Sequence, residues 1–361
     1  MKTALKIIIS IALVAAIVAG IWVYAEINEG ITYDVDTVES VGSVLEIVSE
    51  DIDSVTVKKT DDSDFKVLMF SDTHFNENDE ANSTGASYIV ENVTREKPDL
   101  VIFGGDNVSS ALSTKRTEEF CQLMENLGVY WVSVLGNHDG EGILRYSRKE
   151  IIELYSSYEH CLVKTGVDDI DGYGNFTVNV LNSDDTIKEV FFLMDSGDYM
   201  SKEYKKIYGV DKDEFRYDGV KESQVQWYKD KHDALEDQYG EFKSITVIHI
   251  PPYQTTEAAE MEYEYGEKRE GTCPAGFDSG LFDALKEKGT CQAVYFGHDH
   301  VNDFGVMYDD ILLSYIQSSG YGSYNMLSRG APESEWVQGC TILNLNTDGT
   351  YEAVRHLNHA K

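Results

Sequence analysis

Lys66-Val67-Leu68-Met69-Phe70-Ser71-Asp72-Thr73-His74 is a short apolar run that delivers a carboxylate and an imidazole at its end. That order suits a buried strand opening into a metal site. An Asp-x-His triplet alone is equally a polar loop after a core strand. Five later apolar runs end the same way. Residues 100–103 run into Gly104-Gly105-Asp106-Asn107, residues 130–135 into Gly136-Asn137-His138-Asp139, and residues 190–194 into Asp195-Ser196-Gly197. Residues 245–248 meet His249, and residues 293–296 meet Gly297-His298-Asp299-His300. Ligands of open α/β sheets collect at the carboxyl ends of strands, so six such ends converging would build one site.

Around these runs the chain alternates strand-like and helix-like segments. Helical periodicity covers 88–96 and 114–127, with Pro98 and Gly128 as punctuation. This strand-helix alternation implies a sheet with parallel members. Residues 176–181 and 187–194 flank Asn182-Ser183-Asp184-Asp185 and read as an antiparallel hairpin. A charged, Tyr-rich insertion runs on to Asp218, then come a helix over 222–236, an acidic loop from Pro251 through Glu270, and a short helix over 279–288. Strands return at 311–317, 341–345 and 351–356, the last two joined by Asn346-Thr347-Asp348-Gly349.

A length of 361 residues, 42% hydrophobic, supports a substantial core, and a net charge of -34 repels phosphate backbones, which argues against a nucleic-acid partner. Lys2 and Lys6 precede an uncharged run over 7–25, long enough to cross a bilayer as a helix and oriented to export the rest of the chain. That length favours an uncleaved anchor, while Val23-Tyr24-Ala25 resembles a signal-peptide cleavage site; cleavage would give a secreted protein. The expected organisation is 1–25 as anchor or signal peptide, 26–64 as an acidic stem with a lead-in hairpin (43–48 and 54–59), and 65–361 as one catalytic domain. Five scattered cysteines define no disulfide framework, although one or two bridges are compatible with export. Sequons begin at Asn82, Asn92, Asn107 and Asn175, and the one at Asn107 falls in the metal-site loop. The oligomeric state has no sequence signature.

Five of the nine histidines, His74, His138, His249, His298 and His300, fall in the strand-end motifs together with Asp72, Asp106 and Asn137. A nitrogen and oxygen donor set without thiolate suits Mn, Fe or Zn. Eight candidate ligands exceed one ion's needs. Two divalent ions sharing a carboxylate are the economical reading, because ions about 3.5–4 Å apart hold both the attacking and leaving oxygens of a displacement. No Gly-x-Ser-x-Gly elbow, His-Glu-x-x-His, P-loop or dinucleotide fingerprint is present.

The ordered set Asp72-x-His74, Gly105-Asp106-Asn107, Gly136-Asn137-His138-Asp139, His249 and Gly297-His298-Asp299-His300 resembles the calcineurin-like metallophosphoesterase superfamily. Residues 298–303 and 319–324 are similar to the branch near purple acid phosphatases that contains the yeast dosage-dependent cell cycle regulator phosphatases. The resemblance implies an α/β (α+β) fold, a four-layer sandwich of two mixed β-sheets flanked by helices. It also implies one metal held by Asp72, His74, Asp106 and His300, and a second held by Asp106, Asn137, His249 and His298. His138 would stabilise the phosphoryl group or protonate the leaving oxygen, with Asp139 orienting it or capping a helix. Tyr253, Asn302, Tyr321 and Tyr324 are candidate pocket walls.

Purple acid phosphatases carry Gly and a ferric-binding Tyr where this chain has His74 and Ser109, which points to divalent ions and a colourless protein. The expected activity is hydrolysis of small phosphomonoesters by a metal-bridging hydroxide. A phosphodiesterase on nucleotides or glycerophospholipid head groups is the alternative within enzymes. An inactive binding ectodomain is the alternative of another class.

Overall fold

Period-two alternation sorts the side chains of the long sheet between two cores. In the strand β7 (Ile187–Leu193), Phe191 and Leu193 join one buried cluster while Val190 and Phe192 join the other. Ala293 and Tyr295 split from Val294 and Phe296 in the same way along β9 (Cys291–Phe296). The computed structural model describes residues 40–357 apart from 43, 62, 327, 333–337 and 347–349. The run over 7–25, residues 26–39 of the expected stem and most of the 346–349 turn therefore lie outside the described residues. Among the described residues no helix is long and apolar enough to cross a membrane.

An eight-stranded sheet has the order β1-β2-β6-β7-β8-β9-β11-β10, with β1 (Leu45–Asp51), β2 (Ser54–Lys59), β6 (Phe176–Leu181), β8 (Ser244–Val247), β10 (Gly305–Tyr308) and β11 (Ile311–Tyr315). A five-stranded sheet runs β13-β12-β3-β4-β5, with β3 (Phe65–Phe70), β4 (Leu100–Phe103), β5 (Trp131–Ser133), β12 (Gly339–Leu345) and β13 (Tyr351–Leu357). Strands β3, β4 and β5 are parallel, as are β7, β8, β9 and β11. Both parallel sets need crossovers, which the helices Asp79–Glu96, Ser113–Leu127, Glu222–Tyr239 and Leu281–Lys288 supply. Trp227, Tyr228, Leu281 and Leu285 from the last two pack into the same cluster as Val190 and Phe192. The result is the expected sandwich of two mixed sheets flanked by helices.

The hairpin β1/β2 forms, and β2 also pairs in parallel with β6, so it is part of the large sheet. Trp227 Nε1 and Lys231 Nζ both donate to Asp53 at its turn, at 2.9 and 2.6 Å. The hairpin β6/β7 also forms. Sequence periodicity missed the first nine residues of the helix Asp79–Glu96, because polar Asn and Ser side chains occupy its first turns. Asn78 caps it by accepting from Ala81 N, and Asn82 is buried through hydrogen bonds to the backbone of Asn76. The eight-residue helix Arg148–Tyr155, started by a Ser147/Glu150 capping box, also had too few turns to show a period.

All five cysteines are free thiols, so no disulfide forms. The asparagines of all four sequons are at most 2% exposed, which removes each of them as a glycan acceptor in the folded protein.

Glu189 on β7 is 3% exposed with Gln292 Nε2 at 3.2 Å, and burial pushes its carboxyl up to about 8 from the usual 4.5. The folded state keeps a proton that the unfolded chain releases, so the stability this group contributes is present below pH 4.5 and lost as pH rises towards 8. Glu189→Gln is expected to be more stable than the parent at pH 8 by on the order of 4 kcal/mol, with little difference at pH 4. Urea midpoints at the two pH values check this; equal differences at both would remove Glu189 as the source.

Candidate metal centre

The carboxyl ends of β3, β4 and β5 face those of β8 and β9 across the gap between the sheets. Backbone bonds lace the first loops together: Asp72 N to Gly105 O, His74 N to Asp106 O and Phe75 N to Asn107 O, at 2.9–3.0 Å. Asp72, His74, Asp106 and His298 all have positive φ, between 48° and 81°. Four strained non-glycine residues in one place signal side chains whose aim matters more than their backbone comfort. Gly136 completes the fit, since a Cβ there would lie 2.1 Å from Asp106 Oδ1.

Two donor sets result. Asp72, His74, Asp106 and His300 offer ligand atoms within 4.8 Å of one another, and Asp106, His249 and His298 do the same. Asp106 belongs to both. Its Oδ2 lies 3.2 Å from His249 Nε2 and 3.7 Å from His74 Nε2, while Oδ1 accepts from His138 N at 2.7 Å. Asp72 Oδ1 is 3.5 Å from His300 Nε2, and the Nε2 atoms of His74 and His300 are 3.0 Å apart.

Second partners fix the tautomers. His249 Nδ1 donates to Gly104 O at 2.7 Å and His300 Nδ1 donates to Tyr324 O at 2.9 Å, which leaves the Nε2 lone pairs pointing inward. Nε2 of His249 and of His298 and Oδ1 of Asn137 are buried without a hydrogen-bond partner. Lone pairs facing a carboxylate and one another are reconciled only by protons or cations between them. Burial holds His74 and His298 well below the usual imidazole range, in the neutral form a metal requires. Burial opposes ionisation of Asp106, but the neighbouring His249 outweighs it and holds that carboxyl well below the usual value. The residues present therefore fit two ions sharing Asp106, and Asn137, between Gly136 and His138 that both abut Asp106, has a buried Oδ1 without a partner.

His138 stands apart from both sets, its side chain 35% exposed and its ring 5.5 Å from that of His74. Asp139 does not orient it. Its carboxylate accepts the backbone amides of Asp106, Val108 and Gly136 at 2.8–3.0 Å, tying the β4 loop to the β5 loop, and no helix begins there. The partner of His138 is Glu141, whose Oε2 lies 2.7 Å from Nδ1, while its Oε1 accepts from Tyr199 at 2.8 Å. Burial lowers the basicity of His138, and Asp106 and Glu141 more than restore it, so the imidazole keeps its proton above the usual range. Sequence reading missed Glu141 and Tyr199. The one available signal was a carboxylate three residues after His138 in the same loop.

Asp139→Ala would leave three buried amides without an acceptor. At ~1–3 kcal/mol for each unsatisfied group, and with partial relaxation, a loss of roughly 2–4 kcal/mol is expected. A chemical denaturation curve reads this directly, and an unchanged midpoint would mean the amides find other partners.

The four pocket-wall candidates separate. Tyr324 lies at the site, its ring parallel to His300 at 4.2 Å and its hydroxyl donating to Glu270 at 3.0 Å. Asn302 is 1% exposed, and its Oδ1 accepts the amides of Arg269 and Glu270, so it supports the acidic loop and walls no pocket. Tyr321 packs on Tyr88 of the helix Asp79–Glu96 at 5.2 Å. Tyr253 is 47% exposed and sits beside Pro252 and Phe277 instead of the ligands. Distance in sequence from a ligand does not tell which way a loop side chain turns, as Asn302 and Tyr253 show.

A profile described as calcineurin-like phosphoesterase matches residues 65–302. Probable inactive purple acid phosphatase 14 of Arabidopsis thaliana is 28% identical over 303 residues, covering 74% of this chain and 73% of that protein. Phosphatase DCR2 of Saccharomyces cerevisiae is 27% identical over 278 residues, covering 69% of this chain and 46% of that protein. A dimetal phosphatase from Danio rerio superposes with a TM-score of 0.52 at 14% identity, covering 79% of this chain and 94% of that one, which shows the shared fold.

Proposed function

Because the chain belongs to the calcineurin-like phosphoesterase family, we propose that this metal-dependent phosphoesterase hydrolyses small phosphomonoesters outside the cytoplasm. The observation that carries the reading is Asp106 Oδ2, 3.7 Å from His74 Nε2 on one side and 3.2 Å from His249 Nε2 on the other, in a cluster where Nε2 of His249 and of His298 are buried without a hydrogen-bond partner. Asp72, His74, Asp106 and His300 would hold one ion, and Asp106, Asn137, His249 and His298 would hold the other. When bound, two divalent ions supply a water activated near neutral pH and polarise the phosphoryl oxygens. His138, whose Nδ1 pairs with Glu141, delivers a proton to the leaving oxygen. Asp139 keeps the two loops in register, so that His138 and Asp106 hold their relative positions.

Mn or Zn is the expected metal, because a neutral imidazole at His74 offsets less charge than a phenolate would and Ser109 offers no tyrosinate. Relatives from Arabidopsis carry the word inactive in their names, alongside the yeast phosphatase, so turnover in this chain needs its own assay. Protein loaded with Mn, Zn or Fe and given an aryl monoester, an aryl diester, a nucleotide and a phospholipid provides it. Monoester turnover above diester turnover supports the reading, diester preference replaces it with the phosphodiesterase, and no turnover with two bound ions leaves the binding ectodomain. The outward orientation rests on Lys2, Lys6 and the run over 7–25. Protease added to intact cells should reach the catalytic domain, and protection until lysis would reverse the orientation.

A further inference from the structure

We propose that Tyr199, Phe215 and Tyr217 form the subsite for the alcohol half of the substrate, and that this alcohol carries a flat aromatic ring. The inference rests on the phosphoesterase reading above and specifies its substrate class.

All three side chains come from the insertion between β7 and the helix Glu222–Tyr239. Their rings form one wall. Tyr199 and Tyr217 stack at 5.9 Å with 29° between planes, and Phe215 meets Tyr217 edge-on at 5.0 Å and lies tilted by 57° against Tyr199 at 5.6 Å. An antiparallel bridge pairs Tyr199 with Tyr217, and Met200 N to Arg216 O and Asp218 N to Asp198 O, at 3.0 and 3.2 Å, bind the two segments together. The wall is therefore a braced surface, yet Phe215 stays 64% exposed. An apolar ring held in place and left open to water is an unused stacking face.

Its position identifies what would use it. At one end Tyr217 packs edge-on against His298 at 4.2 Å. At the other, the Tyr199 hydroxyl shares Glu141 with His138 and lies 3.5 Å from Asn137 Nδ2. A phosphoryl group between the donor sets, with its leaving oxygen towards His138, sends the rest of the alcohol along this wall. The polar groups there disfavour an anionic alcohol: Glu141 is a carboxylate, and the guanidinium of Arg216 is taken by Glu214 at 2.6 Å. A neutral or cationic ring fits, while a further phosphate meets like charge.

Ring recognition is separated from leaving-group reactivity with 2-phenylethyl and n-hexyl phosphate, whose alcohols are both alkyl. The non-hydrolysable benzylphosphonate and n-hexylphosphonate read binding by calorimetry on the Mn-loaded protein. The parent is expected to prefer the ring-bearing member of each pair by about 3- to 10-fold, in KM and in Kd. Phe215→Ala should erase most of that ratio and Phe215→Trp should keep it. Equal binding of the two phosphonates by the parent, or an undiminished ratio in Phe215→Ala, overturns the subsite. A ring preference in binding without hydrolysis of either ester upholds the wall and overturns the phosphoesterase reading instead.

Discussion

Asp106→Ala is expected to abolish hydrolysis and bring metal content towards zero. Among the described residues no other side chain belongs to both donor sets, so one substitution weakens both ions at once. The loss also reaches the scaffold, because Oδ1 holds the amide of His138 at 2.7 Å and Gly136 is shaped around that carboxylate. Asp106→Asn separates the two effects. Its carbonyl can still accept from His138 N while the charge that draws the ions together is gone, so a folded, metal-poor and inactive protein is expected. Two ions per chain in a folded Asp106→Ala protein would sink the shared-ligand assignment.

His138→Ala should behave in the opposite way, keeping both ions and losing rate. Proton transfer by a placed imidazole is worth about 10²–10⁴-fold, and the full loss should appear on alkyl phosphates, whose leaving oxygens need the proton most. A nitrophenyl ester should lose much less. Glu141→Gln keeps the shape of the contact with Nδ1 but removes one of the two carboxylates that raise His138, so it should show a smaller fall with the same leaving-group trend. Equal losses on alkyl and nitrophenyl esters would assign His138 to phosphoryl stabilisation and not to proton delivery.

The clustered donor residues were legible because each comes just after an apolar strand, and a buried parallel strand writes a continuous apolar run. Asp72, Asp106, Asn137, His249 and His298 could be placed at strand ends for that reason. Their surroundings were not legible in the same way. Glu141 reaches His138 through a turn, Tyr199 arrives from an insertion without periodicity, and Asp139 spends its carboxylate on backbone amides that carry no residue-specific signal. The helix at Asp79 was partly hidden because its first turns are held by Asn side chains instead of an apolar stripe.

Anomalous scattering from crystals grown with Mn(II) tests the central claim most directly. The account predicts two peaks about 3.5–4 Å apart on either side of Asp106, one within bonding reach of His74 and His300 and the other of Asn137, His249 and His298. A single peak, or two peaks of which one is held without Asp106, would contradict it.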